Sequence, residues 1–598
     1  MLPLSRLVPK LPDPHAFHPI SRHFPRPPSL PIRVVRPYTS PSSAPSPRQV
    51  RRNAVLAALL LTSAAGAYYY DTRVRRTETT DLSGREVTTV EKYGKTFTLN
   101  LSKRRNAQYT FLRLSDEETE QKLKAHEDST KVTRRGNPVL KYDTNWVGSN
   151  EPCEDRYASD LIPRGDSMKQ DHQSWWKLLS LEAEAEGIAN EDIFEEKVGK
   201  RDLMLFSIFD GHAGWATSEL LKKVHHPTIA LKLGALQAGY LPSQSGWKVM
   251  AGYLNPLTWV GRSNTWTPEY VSQTIVDSFL SLDENICQTP VKMLPLLKVQ
   301  NSVKDTFPTP RQMFVAMTMP AENGSCAISA IVDAENNGLY LANTGDCRAV
   351  AGWESPDGTW KCDVLSEDQM GENPNEVTRM QSEHPNEQDV IKNGRVQGGL
   401  QPTRAFGDAI YKWTTNQYNQ IKGAFDAEDE KFRKQRPYNF TPPYVTARPE
   451  VAYRHLQPES GEKLRFVIMA TDGLWDRMTS EEATLLMASY LSHPTHPDIP
   501  KTDLPTQFSI QPSTEERPYP AEDLPGTGEQ AKGAWVFEGD ENAATHLIRN
   551  SLGGADRKLR GELLSMHGKI TRWMRDDVTC TVVFFGEHED AKLEAKVE

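Results

Sequence analysis

Carboxylates gather at the ends of apolar runs in this sequence. Asp210 closes LMLFSIF and is followed by Gly211 and His212, and Asp472 closes RFVIMAT and again precedes a glycine. Asp346 follows LYLANTG, Asp576 and Asp577 immediately precede VTCTVVFF, and Glu154 and Asp155 follow a VLKY run within SNEPCEDRY. Strand ends hold side chains more rigidly than loop tips do, and a glycine beside a ligand lets backbone carbonyls approach a cation. Clustered carboxylates repel one another unless a cation neutralises them. An all-oxygen donor set selects hard octahedral ions, Mg²⁺ or Mn²⁺, over zinc. Two such ions ~3.5–4 Å apart can hold a water between them, lower its pKa and polarise a phosphoryl group. Metal-assisted hydrolysis of a phosphoester is the chemistry this pattern fits. Taken singly, each motif is ordinary: Asp-Gly is common turn chemistry, and Arg575-Asp576-Asp577 alone reads as a solvated charge run. Their joint occurrence carries the reading.

The elements that must position these groups are legible as short apolar runs. Strands are expected at VLKY, 203–209, 326–333, 339–345, 465–471 and 578–585, with AENNG between the third and fourth as a hairpin signal. Helical patterns follow the first motif (TSELLKKV) and cover 268–286, 481–491 and 542–552. Ser115 and Glu118 have the spacing of a capping box, which predicts a helix running on through QKLKAHE. Strands and helices without strict alternation predict an α+β architecture or a sandwich of sheets rather than a doubly wound sheet. Segments 165–200, 240–265, 353–390, 415–440 and 493–535 are polar, Pro-rich or acidic and read as surface insertions.

Charge is divided unevenly along the 598 residues. Residues 1–70 hold eight Arg and one Lys against Asp13, a net of +8, which leaves −17 for the remainder of a chain whose total is −9. An acidic body is a poor nucleic-acid binder, because phosphate contacts need Lys and Arg. Six cysteines without a CxxC pair argue against a disulfide framework or a structural zinc site and suit a reducing compartment. Residues 1–52, rich in Arg, Pro and Ser, have the composition of an organellar targeting presequence, with a disordered tail as the plainer reading. Residues 54–70, AVLAALLLTSAAGAYYY, follow Arg51 and Arg52 and would span roughly 26 Å as a helix, the short limit for a single membrane crossing. Residues 71–110 read as a linker and 111–590 as the catalytic domain with its insertions.

The ordered set EDRYASD, FSIFDGHAG, GSCAISAIVD, LANTGDCRAV, GGLQPTRAFGD, VIMATDGLWDRMT and RDDVTCTVVF resembles the metal-dependent, type 2C Ser/Thr protein phosphatases over about residues 138–586. SNEPCED, TRAFGDAIYKW, PPYVTARPEV and NAATHLIRN look like the mitochondrial pyruvate dehydrogenase phosphatase branch. The resemblance implies a β-sandwich of two antiparallel sheets flanked by helices, with metals in a cleft at one end. It implies that Asp210 bridges two Mg²⁺ or Mn²⁺ ions, that the Gly211 carbonyl helps to bind one, and that Glu154, Asp472 and Asp576 complete the set. Asp346 and Asp476 match acids linked to a third ion. His212 matches the group that protonates the leaving serine or threonine oxygen, an imidazole being suited to proton transfer near neutrality; a histidine capping the next helix is the structural alternative.

One position departs from the family pattern. Many members carry an Arg four residues before the metal-binding Glu to grip the substrate phosphate, and this chain has Asn150 there. Phosphate grip is then expected from the metals, from Asn150 or from another basic group, Arg156 being a candidate by proximity. The implied partner is a mitochondrial phosphoprotein, with pyruvate dehydrogenase as the branch's substrate, in the matrix or at the inner membrane. Two alternatives stand beside it: a phosphatase of another phosphoprotein, facing the intermembrane space if 54–70 is an anchor, and a catalytically inactive binding relative.

Overall fold

The computed structural model describes residues 96–101, 107–132, 137–162, 202–237, 239, 241, 266–299, 310–425, 432–492, 495–511 and 533–587. Two compact units divide the chain, residues 1–94 with 302–317 and residues 95–301 with 318–598. Of the first, only the opening of helix Pro310–Glu322 is described. All the candidate site residues belong to the second.

Two sheets organise that unit. Their strands in chain order are β1 (Asp128–Lys131), β2 (Val139–Val147), β3 (Arg156–Ile162), β4 (Leu203–His212), β5 (Gly324–Asp333), β6 (Gly338–Thr344) and β7 (Arg348–Glu354). They continue with β8 (Trp360–Val364), β9 (Phe406–Gly407), β10 (Glu450–His455), β11 (Lys463–Ala470), β12 (Ile510–Gln511) and β13 (Val578–Phe585). The seven-stranded sheet has the order β12-β8-β7-β11-β13-β2-β1, and the six-stranded sheet the order β10-β6-β5-β4-β3 with β9 against β5. Every pairing in the two sheets is antiparallel except β8 with β12.

Strand β11 shows how the sequence sorts its side chains. Val467 and Met469 join a core cluster with Phe206, Ile208, Ile328 and Leu341 of the other sheet, while Phe466 and Ile468 join a second cluster with Leu486 and Leu547. The alternation is the two-residue period of a strand buried on both faces. The second cluster draws on helices Ser480–Ser492 and Ala543–Ser551, which cover the far face of the seven-stranded sheet. All six cysteines are free and buried.

Several expectations change. Strand β4 runs three residues past the apolar run, because Cys326, Ser325 and Gly324 continue the ladder opposite Asp210, Gly211 and His212. Residues 96–110, read as linker, contribute an antiparallel hairpin of Thr96–Leu101 with Ala107–Leu112. Its Phe97, Leu99 and Phe111 pack into the second core cluster, an apolar alternation masked by neighbouring charges. The segment 353–390, read as an insertion, contains β8 and helix Pro374–Glu383, and 415–440 contains helix Thr415–Phe425. Segment 493–535 likewise includes strand Thr495–Pro500, helix Leu504–Gln507 and β12. The capping box forms as expected, with Ser115 and Glu118 bonding each other's backbone amides at the start of helix Asp116–Lys124. Among the described residues no helix is long and apolar enough to cross a membrane. Residues 1–52, 54–70 and 165–200, and all of 240–265 but residue 241, lie outside the described residues.

Candidate active site

Asp210 stands two residues before the end of β4, Asp346 follows β6, and Asp472 opens the short helix Asp472–Trp475 directly after β11. Carboxylate oxygens of these three residues lie within 4.8 Å of one another. Burial pushes the Asp210 and Asp472 carboxyls well above the usual range, and neighbouring carboxylates (Asp155 foremost for Asp210, Asp346 for Asp472) push them further. Asp346 is raised by burial as well. Asp476, one helical turn after Asp472, is raised to about 6 by burial and then by Asp346 and Asp576. Asp155 is fully enclosed and raised in the same way; its Oδ2 accepts from Thr579 Oγ1 at 2.8 Å, while its Oδ1 is buried with no hydrogen-bond partner. An orphaned carboxylate oxygen inside a group of repelling acids calls for a cation or water held there. The donors are oxygens throughout, so the group fits Mg²⁺ or Mn²⁺.

Asp577 has a different role from its neighbour. Its Oδ1 accepts from Ser149 N at 2.5 Å and Asn150 N at 2.9 Å, and its Oδ2 from Glu154 N at 2.8 Å and Asn150 Nδ2 at 3.1 Å. Burial alone would raise its carboxyl, yet these donors hold it below the ordinary range. Asp577 therefore folds the 149–154 loop and sets the position of Glu154. Gly211 makes the close approach of that loop feasible: a Cβ there would lie 2.2 Å from the Glu154 carbonyl oxygen. Glu154 and Asp576 are both raised by burial, with Arg572 opposing the shift in each.

The basic groups divide by partner. Asn150 directs its side-chain amide to Asp577 and, at 3.4 Å, to Glu154 Oε2. Arg156 is a strut: its Nε bonds Glu219 at 2.7 Å and its guanidinium bonds the carbonyls of Cys153 and Asp155. Arg572 reaches the carboxylates themselves, 3.0 Å from Glu154 Oε2 and 3.7 Å from Asp576 Oδ1. Sequence reading passed over it, although Arg572 and Asp576 have the i, i+4 spacing of paired charges.

His212 closes the β4 ladder, and its Nε2 lies 2.5 Å from Asp408 Oδ2. Asp408 is fully buried, and its Oδ1 also accepts from Arg433 at 2.9 Å. Burial would raise its carboxyl, but His212 and Arg433 bring it down to about 2. An ionised carboxylate only accepts, so the His212 proton facing it sits on Nε2. Nδ1, which has no hydrogen-bond partner among the described residues, is left as the exchange site. Gly324 makes room for the pair, since a Cβ there would fall 2.0 Å from Nε2 and 2.1 Å from Asp408 Oδ2. In the sequence Asp408 only ends the GGLQPTRAFGD motif; in the structure it sits at φ 47°, a conformation Asp tolerates.

The protein phosphatase 2C family model matches residues 270–499. A protein phosphatase 2C homolog of Schizosaccharomyces pombe is 32% identical, over 78% of this chain and 84% of its own length. The mitochondrial pyruvate dehydrogenase (acetyl-transferring) phosphatase 1 of Saccharomyces cerevisiae is 31% identical over 81% of this chain and 75% of its own, and that of Bos taurus 29% over 78% and 82%. This chain belongs to the protein phosphatase 2C family and is a protein serine/threonine phosphatase. Within the family it stands near the pyruvate dehydrogenase phosphatase branch.

Proposed function

We propose that this chain is a Mg²⁺- or Mn²⁺-dependent phosphatase of a mitochondrial phosphoprotein, with the phosphorylated pyruvate dehydrogenase complex as substrate. The observation that carries the chemistry is the meeting of buried, mutually repelling carboxylates with a histidine whose proton is fixed by a buried aspartate. Asp210, the Gly211 carbonyl, Glu154, Asp472 and Asp576 would hold the ions, with Asp346 and Asp476 available to a further one. Bound ions would activate water and offset the charge of the phosphoryl oxygens. His212 gives a proton from Nδ1 to the departing serine or threonine oxygen, and Asp408 keeps the ring in position as it does so. A core cluster drawn from both sheets supports the family's sandwich arrangement.

The substrate and compartment rest on the relatives' names and on residues 1–52, read as a presequence before a domain whose described residues begin at 96. The apolar run 54–70 favours a second reading, an anchored enzyme facing the intermembrane space. Protease digestion of mitoplasts separates the two, since only an outward-facing body is cleaved. The chemistry is tested on a phosphoserine peptide with Mn²⁺, with Mg²⁺ and with EDTA. Turnover is expected only with metal, and Asp210→Asn is expected to reduce it by at least ~100-fold, about 2.7 kcal/mol of barrier. Metal-independent turnover, or an undiminished Asp210→Asn, would overturn the assignment.

A further inference from the structure

The substrate's phosphate is a dianion that must enter a site lined by carboxylates, so a fixed cation at its rim has a direct electrostatic use. The basic side chains around the site are mostly committed elsewhere. Arg156 holds Glu219, Arg433 holds Asp408, Arg575 is buried against the carbonyls of Val147, Gly148 and Leu563, and Arg477 bonds the Met574 carbonyl. Asn150 is uncharged and bonds two carboxylates.

Arg572 differs from all of these. It lies in the 3-10 helix Gly568–Trp573, four residues before Asp576, and its side chain is 42% exposed. A single terminal nitrogen makes its contacts to Glu154 and Asp576, and Nε and the second terminal nitrogen have no hydrogen-bond partner among the described residues. A guanidinium is a rigid fork that offers two parallel N–H donors along one edge, the geometry that matches phosphate oxygens. One side of the fork is thus anchored on two carboxylates of the site, while another edge carries unused donors at its solvent-facing rim.

We propose that Arg572 is the phosphate-holding residue of this enzyme, receiving two oxygens of the substrate phosphoryl group on its free guanidinium edge. The proposal rests on the phosphatase reading above and names the group that supplies the grip which Asn150 lacks the charge to give. Anchoring on Glu154 and Asp576 pre-orients the fork, so little side-chain freedom is lost when phosphate arrives. Arg572→Lys keeps the charge but loses the fork, and Arg572→Ala loses both.

The test uses the full chain with Mn²⁺ and a phosphoserine peptide, with inorganic phosphate as competing inhibitor. Arg572→Ala is expected to raise KM and the phosphate inhibition constant together, each by about 10- to 100-fold, the range for one charged hydrogen-bonding group. Arg572→Lys is expected to recover part of that loss. Mn²⁺ affinity, measured by calorimetry without substrate, is expected to be unchanged or tighter, because removing a cation beside Glu154 and Asp576 cannot weaken a cation's binding there electrostatically. KM and phosphate inhibition within about twofold of wild type in the alanine variant would refute the proposal. So would a loss of Mn²⁺ affinity matching the rise in KM, which would make Arg572 a support of the ion ligands. Wild-type protein that hydrolyses nothing with metal would instead overturn the phosphatase reading, so the two failures are distinguishable.

Discussion

Replacing Asp408 by Asn changes almost no volume and inverts one hydrogen bond. The aspartate accepts from His212 Nε2 at 2.5 Å through one oxygen and from Arg433 at 2.9 Å through the other. An asparagine offers one acceptor and one donor to the same two partners. If its oxygen stays on Arg433, its amide nitrogen faces Nε2 and requires that nitrogen to be unprotonated, which moves the neutral ring's proton to Nδ1 and disfavours the doubly protonated ring that gives a proton away. If the amide turns over, two donors confront each other at Arg433. Either way one charge-assisted hydrogen bond is lost, about 1.5–3 kcal/mol, which is roughly 10- to 100-fold in rate. Asp408→Asn is therefore expected to lower kcat by that factor on a phosphoserine peptide, with KM and Mn²⁺ affinity nearly unchanged. His212→Ala combined with Asp408→Asn is expected to be no slower than His212→Ala alone, because the aspartate acts through the ring. A thermal melt of each variant separates this effect from lost folding. Asp408→Asn with kcat within about twofold of wild type, or full additivity in the double variant, would refute the reasoning.

Two further predictions concern the fold around the site. His546 is fully buried between the rings of Tyr490 and Phe537, and burial brings its pKa down to about 4. The unfolded chain therefore binds the extra proton first as pH falls below ~6.5, so stability is lost toward pH 4, by about 2 kcal/mol between pH 7.5 and 5. His546→Phe is expected to flatten that slope by the same amount in urea titrations, and an unchanged slope would contradict it. Arg549 is fully buried and pairs with Glu120, Glu538 and Asp540. Arg549→Met leaves those carboxylates uncompensated and is expected to cost ~3–5 kcal/mol. Hydrogen exchange should then show helix Asp116–Lys124, which carries Glu120, losing protection first; uniform loss would refute its attachment through this pair.

What the sequence made legible follows burial. Strands β4, β5, β11 and β13 are apolar through most of their length and stand out as runs. Strands β3 and β10 do not, because they lie at sheet edges, where half-exposed positions accept Arg, Ser, Glu and His. The same logic applies to the site. Asp210, Asp346 and Asp472 were visible because each ends or follows a recognisable run. The roles of Asp408 and Asp577 depend on contacts to residues 196 and up to 428 positions away, and no local pattern encodes such a meeting. Arg572 lay between these cases, with a local spacing to Asp576 but a contact to Glu154 that spans 418 positions.

Strand β13 lies in the interior of its sheet, between β11 and β2, although it is made after both. A growing chain therefore carries β2 and β11 with facing edges unpaired until nearly all of the domain has left the ribosome. The 149–154 loop waits for the same moment, because the carboxylate that gathers its amides immediately precedes that strand. The carboxylate cluster is thus completed by a late segment: until residues 576–585 are in place the 149–154 loop has no carboxylate to gather its amides, and two interior strand edges stand open.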